Sequence, residues 1–171
     1  MKSKWIKMYL DFALRAAEES HGIRLKVGAV FVSPEGVMSM GINGLAVDGE
    51  NECEYKEWFS GGGWVDADEV KKGWPYEGIY EDGNGNEIQG RYRLVTKNEV
   101  SHAEENCYSK MLRQGVSANG GTLFLTHAPC INCSRQILNS GTKAVYYLND
   151  YKSLDGVQFL IHNGVQVIKV D

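Results

Sequence analysis

Two short segments, His102-Ala103-Glu104 and Pro129-Cys130-Ile131-Asn132-Cys133, restrict the fold of this chain more than anything else in it, because their side chains make chemical sense only if they meet. Together they offer one imidazole and two thiols, with a carboxylate to spare. Catalytic zinc typically takes three protein ligands and keeps its fourth position for water, whereas structural zinc is closed by four, and the donor count here fits the open case. Pro129 suits a first helical position, which puts Cys130 and Cys133 three residues apart in an opening turn, on one face. A helix N-terminus and a metal both favour the thiolate that ligation needs. His102 lies at the start of a preceding helix. The fold must therefore bring two helix N-termini together, and the ends of sheet strands in an open α/β domain are where such sites form.

The rest of the pattern supplies that domain. Residues 4–20 space Trp5, Met8, Tyr9, Phe12, Ala16 and Ala17 at helical intervals, ending before His21-Gly22. Val27 to Val32 is an apolar run closed by Ser33-Pro34-Glu35-Gly36, and Val37 to Ile42 follows as its hairpin partner. Helices are predicted over 101–114, 130–139 and 155–162, and strands over 122–126, 143–148 and 165–170. This order predicts a three-layer α/β/α domain around a central mixed sheet, one domain over residues 1–171. Residues 45–100 interrupt it as a long insertion, rich in glycine, tryptophan and acids, with one small hairpin across Asp82-Gly-Asn-Gly-Asn86.

Composition bounds the function. With 171 residues, 43% apolar and 23% charged, the chain can bury a real core. A net charge of −4 provides no basic surface for a polynucleotide. No stretch reaches the length of a membrane span and no apolar run resembles a signal peptide, so the expected setting is cytoplasmic, where four cysteines stay reduced. Simpler roles exist for several of these residues. Ser101-His-Ala-Glu104 also reads as a capping box in which Glu104 bonds back to the Ser101 amide. Cys107 falls on an apolar helix face, and His127 shapes a pocket rather than binding metal. The tryptophans mark core or subunit contacts. The Gly61-Gly62-Gly63 triplet lacks the Lys-Ser/Thr of a phosphate loop. His21, Cys53 and Glu99 are a weak candidate for a second, structural metal site.

His-x-Glu followed by Pro-Cys-x-x-Cys is the signature of zinc deaminases acting on cytosine or adenine, in which the glutamate moves protons and is not a ligand. The chain resembles the deoxycytidylate (dCMP) deaminase family, especially its phage-encoded members, in Lys26-Val-Gly-Ala-Val30, Gly41-Ile-Asn-Gly44, His102-Ala-Glu-Glu-Asn106, Thr126-His-Ala-Pro-Cys-Ile-Asn-Cys133 and Val145-Tyr-Tyr-Leu-Asn-Asp-Tyr151. The resemblance implies hydrolysis of dCMP to dUMP for thymidylate supply, in a host cytoplasm. It implies that His102, Cys130 and Cys133 hold zinc and that Glu104 is the proton shuttle. It further implies that Asn43 contacts sugar or phosphate, that the Ala103 amide meets the pyrimidine carbonyl, and that Lys26, Tyr151 and Lys152 serve the phosphate end.

Many members of that family are hexamers activated by dCTP with Mg2+ and inhibited by dTTP, so the resemblance implies a homo-oligomer with such effectors. Two departures touch this regulation: Ile42 stands where the family often has tyrosine, and Leu45-Ala46 where a proline is common. The alternatives are a deaminase of free cytidine, guanine or a tRNA adenosine, and a non-catalytic zinc-stabilised nucleotide-binding module.

Overall fold

The computed structural model describes residues 1–45, 51–60 and 67–171. Ala46 and Gly61-Gly62-Gly63, singled out above, lie outside the described residues, as do Gly49 and Trp64 of the glycine- and tryptophan-rich insertion. The elements are α1 (Ser3–Glu18), β1 (Gly28–Val32), β2 (Met38–Ile42), β3 (Glu54–Trp58), α2 (Asp68–Gly73), β4 (Tyr76–Glu81), β5 (Glu87–Thr96), α3 (Ala103–Arg113), β6 (Thr122–His127), α4 (Ile131–Asn139), β7 (Ala144–Asn149), α5 (Asp155–His162) and β8 (Gln166–Lys169).

Five strands form the main sheet in the order β2-β1-β6-β7-β8. β1 pairs antiparallel with β2 and β6, while β6, β7 and β8 run parallel, so the sheet is mixed as its sequence pattern predicts. Strand alternation sorts the core into two layers. On one face Val30, Val32, Phe124 and Tyr146 pack with Leu10 and Ala13 of α1. On the other, Ala29, Phe31, Leu123, Leu125, Val145 and Tyr147 pack against Ala103, Cys107 and Met111 of α3, Ile137 of α4 and Leu160 of α5. The result is the three-layer α/β/α arrangement, with α1, among the described residues, the one helix packed on its side of the sheet.

Two glycines set how closely the helices approach. A Cβ on Gly28 would stand 1.9 Å from the Ala13 carbonyl of α1, and one on Gly41 would stand 2.0 Å from the Ala103 carbonyl of α3. Polar contacts then fix α3 along the edge strand β2. Ser39 Oγ donates to the Cys107 carbonyl at 3.1 Å, Asn106 Nδ2 to that of Ile42 at 2.8 Å, and Lys110 Nζ to that of Met40 at 2.9 Å.

The insertion holds more order than its sequence predicts. The Asp82–Asn86 hairpin is present, with Asp82 Oδ1 accepting from the Asn84 and Asn86 amides at 2.8 and 2.9 Å. Its second strand, however, runs on to Thr96, and β3 pairs with it to give a three-stranded antiparallel sheet, β3-β5-β4. β3 escapes a periodicity search because Glu54-Tyr-Lys-Glu-Trp58 has no apolar alternation. It is held by cross-strand partners: Trp58 lies 4.7 Å from the Tyr80 ring and 4.9 Å from Tyr92. Arg91, 6% exposed, donates to the Trp74 and Pro75 carbonyls and pairs with Glu77, which ties the segment after α2 to the sheet.

Candidate functional site

The N-terminus of α3 and that of α4 meet at the ends of β1 and β6. His102 Nδ1 lies 3.3 Å from Cys133 Sγ and 3.6 Å from Cys130 Sγ. The three ligand atoms are all within 4.8 Å of one another and form the only group of three or more such donors among the described residues. Tetrahedral zinc with ordinary Zn–N and Zn–S bonds has N···S edges of about 3.6 Å, which these two separations match closely, so the donor set fits a zinc ion. His21, Cys53 and Glu99 do not form a comparable group; Cys53 is buried, and burial pushes its thiol up.

Both helices start later than their sequence patterns place them, and each shift has a cause. Ser101 exchanges backbone hydrogen bonds with Gly44, at 3.0 and 3.1 Å, and so stays extended. His102 becomes the N-cap of α3, and its amide donates to Glu105 Oε2 at 2.7 Å. The capping box therefore uses Glu105, not Glu104. That frees the Glu104 carboxyl, which is 4% exposed at the foot of the cavity. On the other side, the Ala128 amide continues the β6–β7 ladder by donating to the Asn149 carbonyl at 2.8 Å. Cys130 is itself extended, with φ −70 and ψ 168, so Pro129 precedes the helix instead of opening it. Cys130 is the N-cap of α4, its carbonyl accepting from the Ser134 amide at 2.9 Å.

The electrostatics follow from this crowding. Hydrogen bonds from Cys133 and His102 pull Cys130 down to about 3, and the bond to Cys130 lifts His102 to about 9. Cys133 is raised by its bond to Cys130 and by burial. Burial, opposed in part by His102, lifts Glu104 to about 7.

His102, Glu104 and Cys130 line a cavity of about 500 Å³ with Ala103, Asn43, His127, Tyr151 and Lys152. Lys26 is not among them: its Nζ donates to the Glu18 carbonyl at the end of α1, at 2.9 Å. Arg24 lines the cavity in its place, a residue the sequence offers only as one more cation in a short loop. Its amide and that of Ile23 donate to the Glu54 carboxylate at 3.1–3.2 Å, and its guanidinium donates to Thr96 Oγ1 at 3.2 Å. The insertion thus supplies cavity wall through Glu54, Val95 and Thr96, which no sequence signal marks. Asn43 is tightly held. Its Oδ1 accepts from Ser20 Oγ and the Val27 amide, both at 2.7 Å, and its Nδ2 donates to the Leu25 carbonyl at 2.9 Å. Lys152 Nζ sits over the Tyr151 ring, 5.7 Å from its centroid.

Comparison with known proteins agrees with this geometry. The family described as the cytidine and deoxycytidylate deaminase zinc-binding region matches residues 3–149. The deoxycytidylate deaminase of Enterobacteria phage T4 is 29% identical over 172 aligned positions, covering 94% of this chain and 87% of that protein. ComE operon protein 2 of Bacillus subtilis is 39% identical over 71 residues, 41% of this chain and 38% of that protein. The dCMP deaminase of cyanophage S-TIM5, solved in complex with dCMP and dUMP, superposes with a TM-score of 0.73 at 30% identity, covering 99% of each chain. By fold, site and sequence together, this chain is a deaminase belonging to the cytidine and deoxycytidylate deaminase family.

Proposed function

We propose that the chain hydrolyses dCMP to dUMP and ammonia, with residues 1–171 working as one zinc-dependent deaminase domain whose insertion completes the substrate cavity. The observation that carries this is the buried, uncapped Glu104 carboxyl beside a His/Cys/Cys donor set, in a cavity that also holds two non-imidazole cations, Arg24 and Lys152. His102, Cys130 and Cys133 would hold the zinc. When bound, the metal supplies a Lewis acid that makes water a nucleophile at neutral pH.

The remaining steps belong to the chain. Glu104 takes a proton from the attacking water and gives it to the ring nitrogen beside the amino-bearing carbon; it then takes the remaining proton of the added hydroxyl and passes it to the amino group, which leaves as ammonia while the new carbonyl forms. Burial lifts this carboxyl to about 7 in the metal-free protein, and a carboxyl in so dry a place can both take and give a proton near neutral pH. The Ala103 amide is among the first N–H groups of α3, which have no intrahelical acceptor, and it would donate to the pyrimidine carbonyl. Arg24, with donors beyond the one spent on Thr96, and Lys152 would take the phosphate, with Tyr151 beside them. Asn43, its carbonyl already filled, shapes the wall and has a remaining N–H for the sugar or phosphate.

The names of the phage relatives and the dCMP and dUMP held by the cyanophage enzyme support this substrate. The proposal includes the regulation the family resemblance implies: a homo-oligomer, up to a hexamer, activated by dCTP with Mg2+ and inhibited by dTTP, acting in a host cytoplasm. Among the described residues no helix is long and apolar enough to cross a membrane.

The test is kcat/KM for dCMP, deoxycytidine and dCTP as substrates, with dCTP–Mg2+ and dTTP also tried as effectors. We expect dCMP to be preferred, and Arg24→Ala to lower its kcat/KM by roughly 10- to 100-fold while leaving deoxycytidine nearly unchanged, since a hydrogen bond to a charged group contributes about 1.5–3 kcal/mol. Equal use of deoxycytidine would remove the phosphate from the proposal.

A further inference from the structure

Strand alternation along β6 sends Leu123 and Leu125 to the α3 side of the sheet and Phe124 to the α1 side. Thr126 follows Phe124, and His127 falls on the side of the cavity that it lines. Thr126 is 1% exposed, and its Oγ1 accepts the Gly28 amide at 3.1 Å. Its hydroxyl hydrogen, beyond the reach of solvent, needs an acceptor of its own. The one available among the described residues is His127 Nδ1, also at 3.1 Å.

The accounting closes in one way only. If His127 carried its proton on Nδ1, the Thr126 oxygen would face two donors and its hydrogen would be buried without a partner, a state several-fold or more disfavoured. The proton therefore belongs on Nε2, which no described residue engages. Burial lowers the His127 pKa, so the ring is neutral at pH 7.

We propose that His127 presents a fixed Nε2–H to the cavity as a hydrogen-bond donor for an uncharged oxygen of the bound nucleotide, with Thr126 as the positioning residue that sets the tautomer. The nucleotide part of this rests on the deaminase function proposed above. A neutral donor fits an uncharged acceptor, either the pyrimidine carbonyl or the deoxyribose 3′-hydroxyl, and leaves the phosphate to Arg24 and Lys152.

The experiment has two arms, both on the zinc-loaded protein. In the first, long-range 1H–15N correlation spectra of 15N-histidine-labelled protein read the His127 tautomer directly, with His127→Leu assigning the signal. We expect the Nε2–H form in the parent and in Thr126→Ser, a mixture in Thr126→Val, and a shift of the Nε2–H signal when dUMP is added. A parent ring protonated on Nδ1, or a signal that dUMP leaves unmoved, overturns the proposal. This arm needs no turnover, so it stays decisive for the tautomer even if dCMP proves not to be a substrate.

In the second arm, His127→Leu should lower kcat/KM for dCMP about tenfold while His127→Gln, which keeps an N–H donor, restores most of it. A merely structural role predicts no such rescue. Loss of the effect with 2′,3′-dideoxycytidine monophosphate assigns the donor to the 3′-hydroxyl, and its persistence assigns it to the carbonyl. His127→Leu within twofold of the parent overturns the proposal.

Discussion

Replacing Gly41 by alanine couples packing to chemistry. A Cβ at this position would stand 2.0 Å from the Ala103 carbonyl oxygen and 2.5 Å from the Cys107 amide nitrogen, whereas ordinary contacts begin near 3.4 Å. The start of α3 must then retreat from β2 by the difference, 3.4 − 2.0, or about 1.4 Å. α3 carries His102 at its N-cap and Glu104 in its first turn, while Cys130 and Cys133 belong to α4 and do not feel the push. The N···S separations of 3.3 and 3.6 Å that fit one zinc sphere are lost together with the placement of the carboxyl. Overpacking of this kind costs about 1–3 kcal/mol, which lowers Tm by roughly 2–4 °C per kcal/mol in a chain of this size. A misplacement of about 1 Å can cost roughly 100-fold in rate, so the expected loss in kcat/KM is of that order. Gly36→Ala is the control. Gly36 has φ +87 at the far end of the same hairpin, with nothing among the described residues within 4 Å of a new Cβ. It should cost about 1–2 kcal/mol of left-handed strain and leave activity intact. Zinc content, melting curves and kcat/KM on both variants decide the matter. Gly41→Ala with full zinc and activity within twofold of the parent refutes the reasoning, as does equal impairment by Gly36→Ala.

Three further outcomes are expected. Burial lifts Glu104 from its ordinary 4.5 to about 7, so in the metal-free protein its contribution to stability is fully present below pH 4.5 and is lost as pH rises through 7; the lift corresponds to a cost on the order of 3 kcal/mol. Metal-free Glu104→Gln should therefore gain stability over the parent between pH 5 and pH 8 in denaturant melts, and an unchanged difference across that range contradicts the burial argument. Chelation of zinc should lower Tm, because an ion present at 100 times its Kd stabilises by about 2.7 kcal/mol; a Tm indifferent to zinc and chelator refutes a site built by folding. Asn43→Ala leaves Ser20, Val27 and Leu25 without their partner and should destabilise by about 1–3 kcal/mol besides raising KM, which thermal melts and kinetics separate.

What could be read from the residues alone follows a physical line. The β1–β2 hairpin was legible because Ser33-Pro-Glu-Gly36 encodes its turn locally. The meeting of His102 with Cys130 and Cys133 was legible because ligand chemistry restricts the spacing of its donors. The insertion's sheet was not, since β3 is held by rings on β5 and β4 rather than by an apolar face of its own. The capping of α3 was misassigned by one residue because Ser101 is held extended by Gly44, a partner 57 positions earlier that no local pattern reveals. Of the two cations in Arg24-Leu-Lys26, the sequence cannot say which faces the cavity. That choice is made by Glu54 holding one backbone and by the Glu18 carbonyl capturing the other side chain.

The central claim is that a buried carboxyl beside a three-donor zinc site moves the protons of dCMP hydrolysis. Its most direct test is the ultraviolet absorbance change of dCMP with zinc-loaded parent and Glu104→Gln proteins, with bound zinc quantified in both. The account predicts turnover by the parent, and equal zinc with a loss of at least about 100-fold in the variant. A variant that retains zinc and turns dCMP over at the parent rate would contradict it.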